Sequence, residues 1–284
     1  MLAGASRPRV LIGLAGAMVV CAPTQTAGGI PGCLGGPPKL RWTLPAPLRE
    51  VSGLALDNVG RLWLHNDERG LVGAMDAASG TPLGSYRLGP ESLREDFEGI
   101  AVAGASLFVV TSRGMLYRAP LPDRSAPAGP LPIERLETGV GAQCEIEGLA
   151  FEPAGQLLLL ACKEPRTKAL AKQVAIFRWS IATKRLATPE RITIAEADLA
   201  RGRKGKTFRP SAIERDPASG NYLLVSSADQ AFALVDAAGR VLKTGPIGKR
   251  HPQPEGLAIG PNGDLYLSDE GGTRLGVVSV YACR

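Results

Sequence analysis

One acidic phrase recurs along this 284-residue chain, and its carboxylates are the first candidates for chemistry. It reads Glu50-Val-Ser-Gly-Leu-Ala, Asp96-Phe-Glu-Gly-Ile-Ala and Glu145-Ile-Glu-Gly-Leu-Ala, then in altered form Arg209-Pro-Ser-Ala-Ile, and last Gln253-Pro-Glu-Gly-Leu-Ala. Side chains two apart on a strand share a face, so the first and third residues of each phrase should point the same way. Those positions hold Glu50, Asp96, Glu98, Glu145, Glu147 and Glu255, with Arg209 as the one base. Carboxylates converging on a common axis repel, and must take up protons, pair with bases or share a cation. The runs after the first and last phrases end in more acids, Asp67-Glu68 and Asp269-Glu270. An all-oxygen set suits calcium and does not suit zinc or copper. The expected metal set is Glu50, Asp67, Asp96, Glu98, Glu147, Glu255 and Asp269. The competing reading is a ring of solvated strand ends paired with Arg113, Lys163 or Arg209.

Other chemistry has little to work with. The chain has two His and no paired CxxC, which argues against a zinc finger or a His-rich metalloenzyme. No GxSxG nucleophile motif is present. His65, two residues before Asp67, could act as a base beside a metal and is the single, weak catalytic candidate. His251 lies in a loop before the last phrase and reads as structural. The basic run Arg201–Lys206 opens onto Arg209 and could receive an anion, although a solvated loop explains it as well. The formal charge of +6 is scattered and includes Arg7 and Arg9 of the N-terminal segment, so no nucleic-acid partner is expected.

The elements that must hold these acids repeat too. Third residues of the phrases are Ser52, Glu98, Glu147, Ser211 and Glu255, mostly 44–49 residues apart with one interval of 64. Each phrase leads into a turn, then a short apolar run such as Leu62-Trp-Leu or Leu157-Leu-Leu-Leu, then a third and a fourth run. Gly 35 and Pro 23 favour many turns over long helices. One weak helical window appears, around Lys168–Val174. Four short strands per unit of about 45 residues is the pattern of a propeller blade, so the fold class expected is an all-β, five-bladed β-propeller. A sixth blade would have to fit between Gln173 and Phe208, which the outer strands of blade three and a loop fill more easily.

After Glu255 only 29 residues remain, enough for three strands. Leu40–Leu44 is the unassigned run that can supply the fourth and close the ring, leaving no long edge unpaired. Closure brings Cys33 towards Cys283, and Cys144 and Cys162 bracket one hairpin of blade three, so these two pairings are expected if the compartment is oxidising. Residues 1–28 read as an export signal, with Arg7 and Arg9 before an eleven-residue apolar run too short to span a bilayer. Residues 29–38 read as a flexible Gly/Pro-rich segment and 39–284 as the propeller. Cys21 and Cys33 leave a lipid anchor open as the sole route to a membrane.

The series Asp96-Phe-Glu-Gly-Ile-Ala, Pro210-Ser-Ala-Ile-Glu-Arg-Asp-Pro-Ala-Ser-Gly220, Gln253-Pro-Glu-Gly-Leu-Ala and Gly263-Asp-Leu-Tyr-Leu-Ser-Asp-Glu270 resembles the bacterial SdiA-regulated (YjiK-like) propellers, distant relatives of NHL-repeat proteins. The resemblance covers residues 39–284. It implies five blades, an exported or envelope location and a bound calcium ion, and no known activity. The function expected is therefore a monomeric, exported, calcium-binding module that holds a small-molecule or protein ligand at the channel mouth. The alternative is a calcium-dependent propeller hydrolase, phytase-like or lactonase-like.

Overall fold

The computed structural model describes residue 1 and residues 30–123, 129–200 and 207–283. The expected leader and the basic run Arg201–Lys206 thus lie outside the described residues, apart from Met1. A first strand, β1 (Leu40–Thr43), precedes blade one, formed by β2 (Val51–Leu56), β3 (Arg61–Asn66), β4 (Leu71–Asp76) and β5 (Pro82–Leu88). Blade two contains β6 (Phe97–Ala103), β7 (Ser106–Thr111) and β8 (Met115–Pro120). The chain then reaches sideways as β9 (Pro130–Leu131), which pairs in parallel with β5, before β10 (Glu134–Glu137) completes blade two. This parallel excursion onto the edge of blade one has no signature in the repeat.

Blade three comprises β11 (Cys144–Glu152), β12 (Leu157–Pro165), β13 (Gln173–Ser180) and β14 (Arg185–Ala195). Blade four comprises β15 (Ala212–Arg215), β16 (Tyr222–Ser226), β17 (Ala231–Val235) and β18 (Val241–Pro246). Blade five comprises β19 (Pro254–Ile259), β20 (Asp264–Asp269) and β21 (Val277–Ala282), and β1 pairs antiparallel with β21 as its fourth strand. The fold is the expected five-bladed propeller closed by its N-terminal strand. The long interval between the third and fourth phrases is filled by β13, β14 and the one-turn helix α1 (Glu196–Leu199). The helical window at 168–174 is a 3-10 turn, Lys168–Leu170, running into β13.

Each apolar run buries both faces, because a blade is covered by its neighbours on either side. The core accordingly forms five clusters, one per seam. Trp63 and Val72 of blade one meet Phe97 and Val109 of blade two. Leu54 and Leu64 meet Tyr266 and Val278 at the closing seam between blades one and five. Filling each seam with such side chains, at about 1.5–3 kcal/mol per large residue, is what holds the ring. Hairpin turns are tied by acids: Asp57 accepts from the Val59 and Arg61 amides, and from the Trp63 indole at 3.0 Å.

Both expected disulfides are present, Cys33–Cys283 and Cys144–Cys162. Within the segment 29–38, Ile30, Pro31 and Leu34 are buried and the other described residues are half-buried or exposed. Residues Gly32–Gly35 form a 3-10 turn, and Ile30 and Leu34 are buried in the seam between blades four and five. Among the described residues no helix is long and apolar enough to cross a membrane.

Candidate functional site at the channel mouth

The inner strands β2, β6, β11, β15 and β19 line the axis, and the phrases lie at their starts. In four blades the strand ladder slips at the phrase: between Val51 and Leu54, Phe97 and Gly99, Ile146 and Leu149, and Pro254 and Gly256. Ser52, Glu98, Glu147 and Glu255 fall in these bulges without a ladder partner. A bulge re-aims its extra residue, so simple alternation does not hold. The first residues of the phrases stay at the rim and the third residues reach inward. The following glycine lets adjacent inner strands touch. A Cβ at Gly99 would lie 2.6 Å from the Leu149 amide nitrogen, and one at Gly256 would lie 2.9 Å from the Gly53 carbonyl carbon. The channel between them is narrowed to about 10 Å³, close to the space of one water.

Just above this constriction Glu98, Glu147 and Glu255 form an acidic cluster with Lys163. Ser52 Oγ donates to Glu98 Oε2 at 3.2 Å. Lys163 Nζ, on the mouth end of β12, forms an ion pair with Glu147 Oε2. Burial pushes all three carboxyls above the usual range. Glu147 and Asp96 push Glu98 further, and Glu270 does the same to Glu255. For Glu147, Lys163 opposes the effect of burial. Burial alone would pull the Lys163 ammonium down, but Glu147, Glu98 and Glu145 outweigh it and hold it above its ordinary value.

The remaining expected ligands are divided. Asp67 is half-buried at the mouth, raised to about 6 by burial and by Glu50 and Glu270. Glu50 pairs with Arg49 at 3.0 Å, Glu145 with Arg166 at 3.4 Å, and Arg209 with Glu164 at 3.0 Å. Asp96 is exposed at the rim. Asp269 is turned away from the axis cluster: its Oδ2 lies 2.6 Å from His251 Nδ1, and His251 Nε2 lies 2.5 Å from the Tyr281 hydroxyl. In blade four Ser211 Oγ donates to the Pro254 carbonyl at 2.6 Å and accepts from the Ser227 amide, tying blades four and five.

His65 is buried, 1% exposed, beside Gly53. Burial holds its pKa down to about 4, so its ring is neutral at pH 7. Outside the axis, a cleft of about 370 Å³ opens on the same face over blades two and three, with Glu95, Arg113, Arg135 and Glu137 among its walls.

The SdiA-regulated family matches residues 77–273, more than two thirds of the chain. The chain belongs to the SdiA-regulated family. No curated protein matches this family member significantly in sequence. Its fold is similar to that of Myxococcus xanthus glutaminyl cyclase, at 15% identity and a TM-score of 0.55, over 87% of this chain and 99% of that one. It is similar also to the PQQ-bound aldose sugar dehydrogenase of Streptomyces coelicolor, at 15% identity and a TM-score of 0.54, with the same coverage. A luciferin-regenerating enzyme follows at 13% identity and 0.52, over 87% and 95% of the two chains. For a Kuenenia stuttgartiensis hydrazine synthase the coverage is 79% of this chain and 57% of that one, at a TM-score of 0.44. At such identities the likeness is one of propeller fold alone.

As to calcium, the donors of this SdiA-regulated propeller fit a hard cation in kind, being carboxylates and hydroxyls. Among the described residues no three His, Cys, Asp or Glu side chains are gathered into a ready cage. Lys163 instead supplies the positive charge at the centre. Sequence reasoning weighed Lys163 as a partner of these acids without placing it at the axis. It missed the His251–Asp269–Tyr281 chain, whose members come from a loop and two strands of blade five.

Proposed function

We propose that this propeller is an exported, non-catalytic binding module that holds calcium at the axial cluster of Glu98, Glu147 and Glu255 and takes a ligand on the same face. The observation that carries the reading is charge imbalance: three partly or fully buried carboxyls face one ammonium, and burial and mutual repulsion raise all three. A divalent cation would relieve that repulsion, with Lys163 swinging outward; the Ser52 hydroxyl, 3.2 Å from Glu98, is a further oxygen donor. The adjoining cleft with Arg113 and Arg135 supplies room for the ligand. Two disulfides and the family are consistent with an oxidising, exported location. The hydrolase alternative is weaker because its one candidate base, His65, is sealed in a seam. Titration calorimetry of metal-free protein with calcium, and separately with magnesium, tests the proposal. Saturable calcium binding supports it. Absence of heat and of any calcium-dependent rise in melting temperature would leave Lys163 as the sole counter-ion.

A further inference from the structure

At the end away from the acidic mouth, the channel widens into a second pocket of about 190 Å³. Leu56, Val102, Phe151 and Ile259, at or next to the ends of four inner strands, supply its apolar part, and Arg215 also lines it. In the inner strands the phrase ends on an alanine in four blades, Ala55, Ala101, Ala150 and Ala258. Blade four carries Glu214 at the same place, and its carboxyl lines this pocket. A methyl group satisfies the fold there four times out of five, so closing the ring does not require a carboxyl. Glu214 Oε1 accepts the Arg215 amide at 2.7 Å. The Arg215 guanidinium is engaged by Glu152 at 2.9 Å. No side chain among the described residues pairs with the carboxyl.

We infer that this pocket binds a small apolar amine, whose ammonium pairs with Glu214 and whose body fills the space between Leu56, Val102, Phe151 and Ile259. The size is suitable, since an apolar cavity of about 150 Å³ takes up benzene. The chemistry follows from the cost of ionising a part-buried carboxyl that has no side-chain partner, which a cation removes. Burial raises Glu214 to about 8, against the opposing amide bond and charge of Arg215. At pH 7 the carboxyl is therefore mostly protonated. An ammonium that enters charged drives that proton to solvent, leaving an ion pair in the pocket and one proton outside. The site is independent of the calcium reading, which concerns the other end of the channel.

Benzylamine is the probe and benzyl alcohol its neutral counterpart, titrated calorimetrically into the full chain at pH 7 in two buffers of different ionisation enthalpy. The expected result is saturable benzylamine binding with release of most of one proton. Affinity should fall at least tenfold in Glu214→Gln, while benzyl alcohol binds the two proteins alike. If Glu214→Gln fails to fold, Glu214→Ala, which copies the other four blades, serves for the same comparison, and proton release is read from wild type alone. Equal affinity for amine and alcohol, benzylamine binding that survives loss of Glu214, or no benzylamine binding at millimolar concentration each overturns the inference.

Discussion

Ser52 Oγ donates to Glu98 Oε2 at 3.2 Å, joining the inner strands of blades one and two at the axis. That hydroxyl is the one neutral partner of a carboxyl that burial, Glu147 and Asp96 all disfavour as an anion. Replacing Glu98 by its neutral isostere removes the repulsion and keeps the shape. Glu98→Gln should thus raise the stability of the metal-free protein at pH 7 by about 1 kcal/mol. The same substitution should weaken calcium binding at least tenfold, so that calcium stabilises the variant less than wild type. Denaturant unfolding in EDTA and in calcium measures both effects. A variant destabilised in EDTA contradicts the charge argument.

The pH dependence follows from the same groups. A carboxyl with a raised folded pKa binds more protons in the native state than in the unfolded state, so stability falls as pH rises between the two values. Glu98, Glu147 and Glu255, raised by burial and by one another with Lys163 opposing, act in this direction, as does Glu214 at about 8. His65, held down to about 4 from 6.5, acts oppositely, but only below its unfolded value. Between pH 6.5 and 8 the carboxyls act alone. In EDTA the melting temperature should fall across this interval, and saturating calcium should flatten the slope. Thermal unfolding at pH 6.5, 7.2 and 8 gives the answer.

Lys163 distinguishes an internal counter-ion from a competitor of calcium. Lys163→Gln leaves Glu147 without its ion pair, and this should destabilise the metal-free protein at pH 7. If the ammonium and calcium use the same negative potential, the variant should bind calcium several-fold more tightly and recover stability when calcium is added. Unchanged calcium affinity would mean that the ion, if bound, sits elsewhere.

Asp269 should matter for stability and not for calcium. Tyr281→Phe deletes the outer bond of the buried His251–Asp269 chain and should cost about 1 kcal/mol. His251→Ala leaves the 3%-exposed Asp269 without its partner and should cost more, about 2–3 kcal/mol. Calcium affinity should be the same in both variants as in wild type. A parallel loss of calcium binding would return Asp269 to the ligand set.

The two disulfides should differ in weight. Cys33–Cys283 spans 250 residues and Cys144–Cys162 spans 18. Loop-entropy scaling gives about 5 kcal/mol for the first and about 3 kcal/mol for the second. The paired Cys33→Ser/Cys283→Ser substitution also frees the turn carrying Leu34 and the end of β21. Its loss of melting temperature should therefore exceed that of Cys144→Ser/Cys162→Ser. The reverse order would show that ring closure rests on the β1–β21 pairing alone.

Much of the architecture was legible before any coordinates because its signals are local. A strand and a turn repeat within each blade, a Gly-Leu-Ala or Gly-Ile-Ala step recurs in four of the five, and the three-strand remainder after Glu255 has a single available partner in Leu40–Leu44. The Cys33–Cys283 disulfide follows from that closure, since pairing β1 with β21 brings the two together, and Cys144–Cys162 follows from a hairpin of blade three. The parallel pairing of Pro130–Leu131 with β5 was not legible, because two residues carry no periodicity and the contact crosses between blades.

For the site, residue types alone determined that acids gather at the start of the inner strands and must take up protons, pair with bases or share a cation. Which acids meet was decided by tertiary structure. The bulges move Glu98, Glu147 and Glu255 inward and leave Glu50, Asp96 and Glu145 at the rim, and strand alternation cannot foresee a bulge. Lys163 reaches Glu147 across the hairpin, His251 takes Asp269 from a loop, and His65 is buried beside Gly53. Each of these contacts depends on how neighbouring strands or blades meet in space, and the order of residues along the chain does not encode that distance locally.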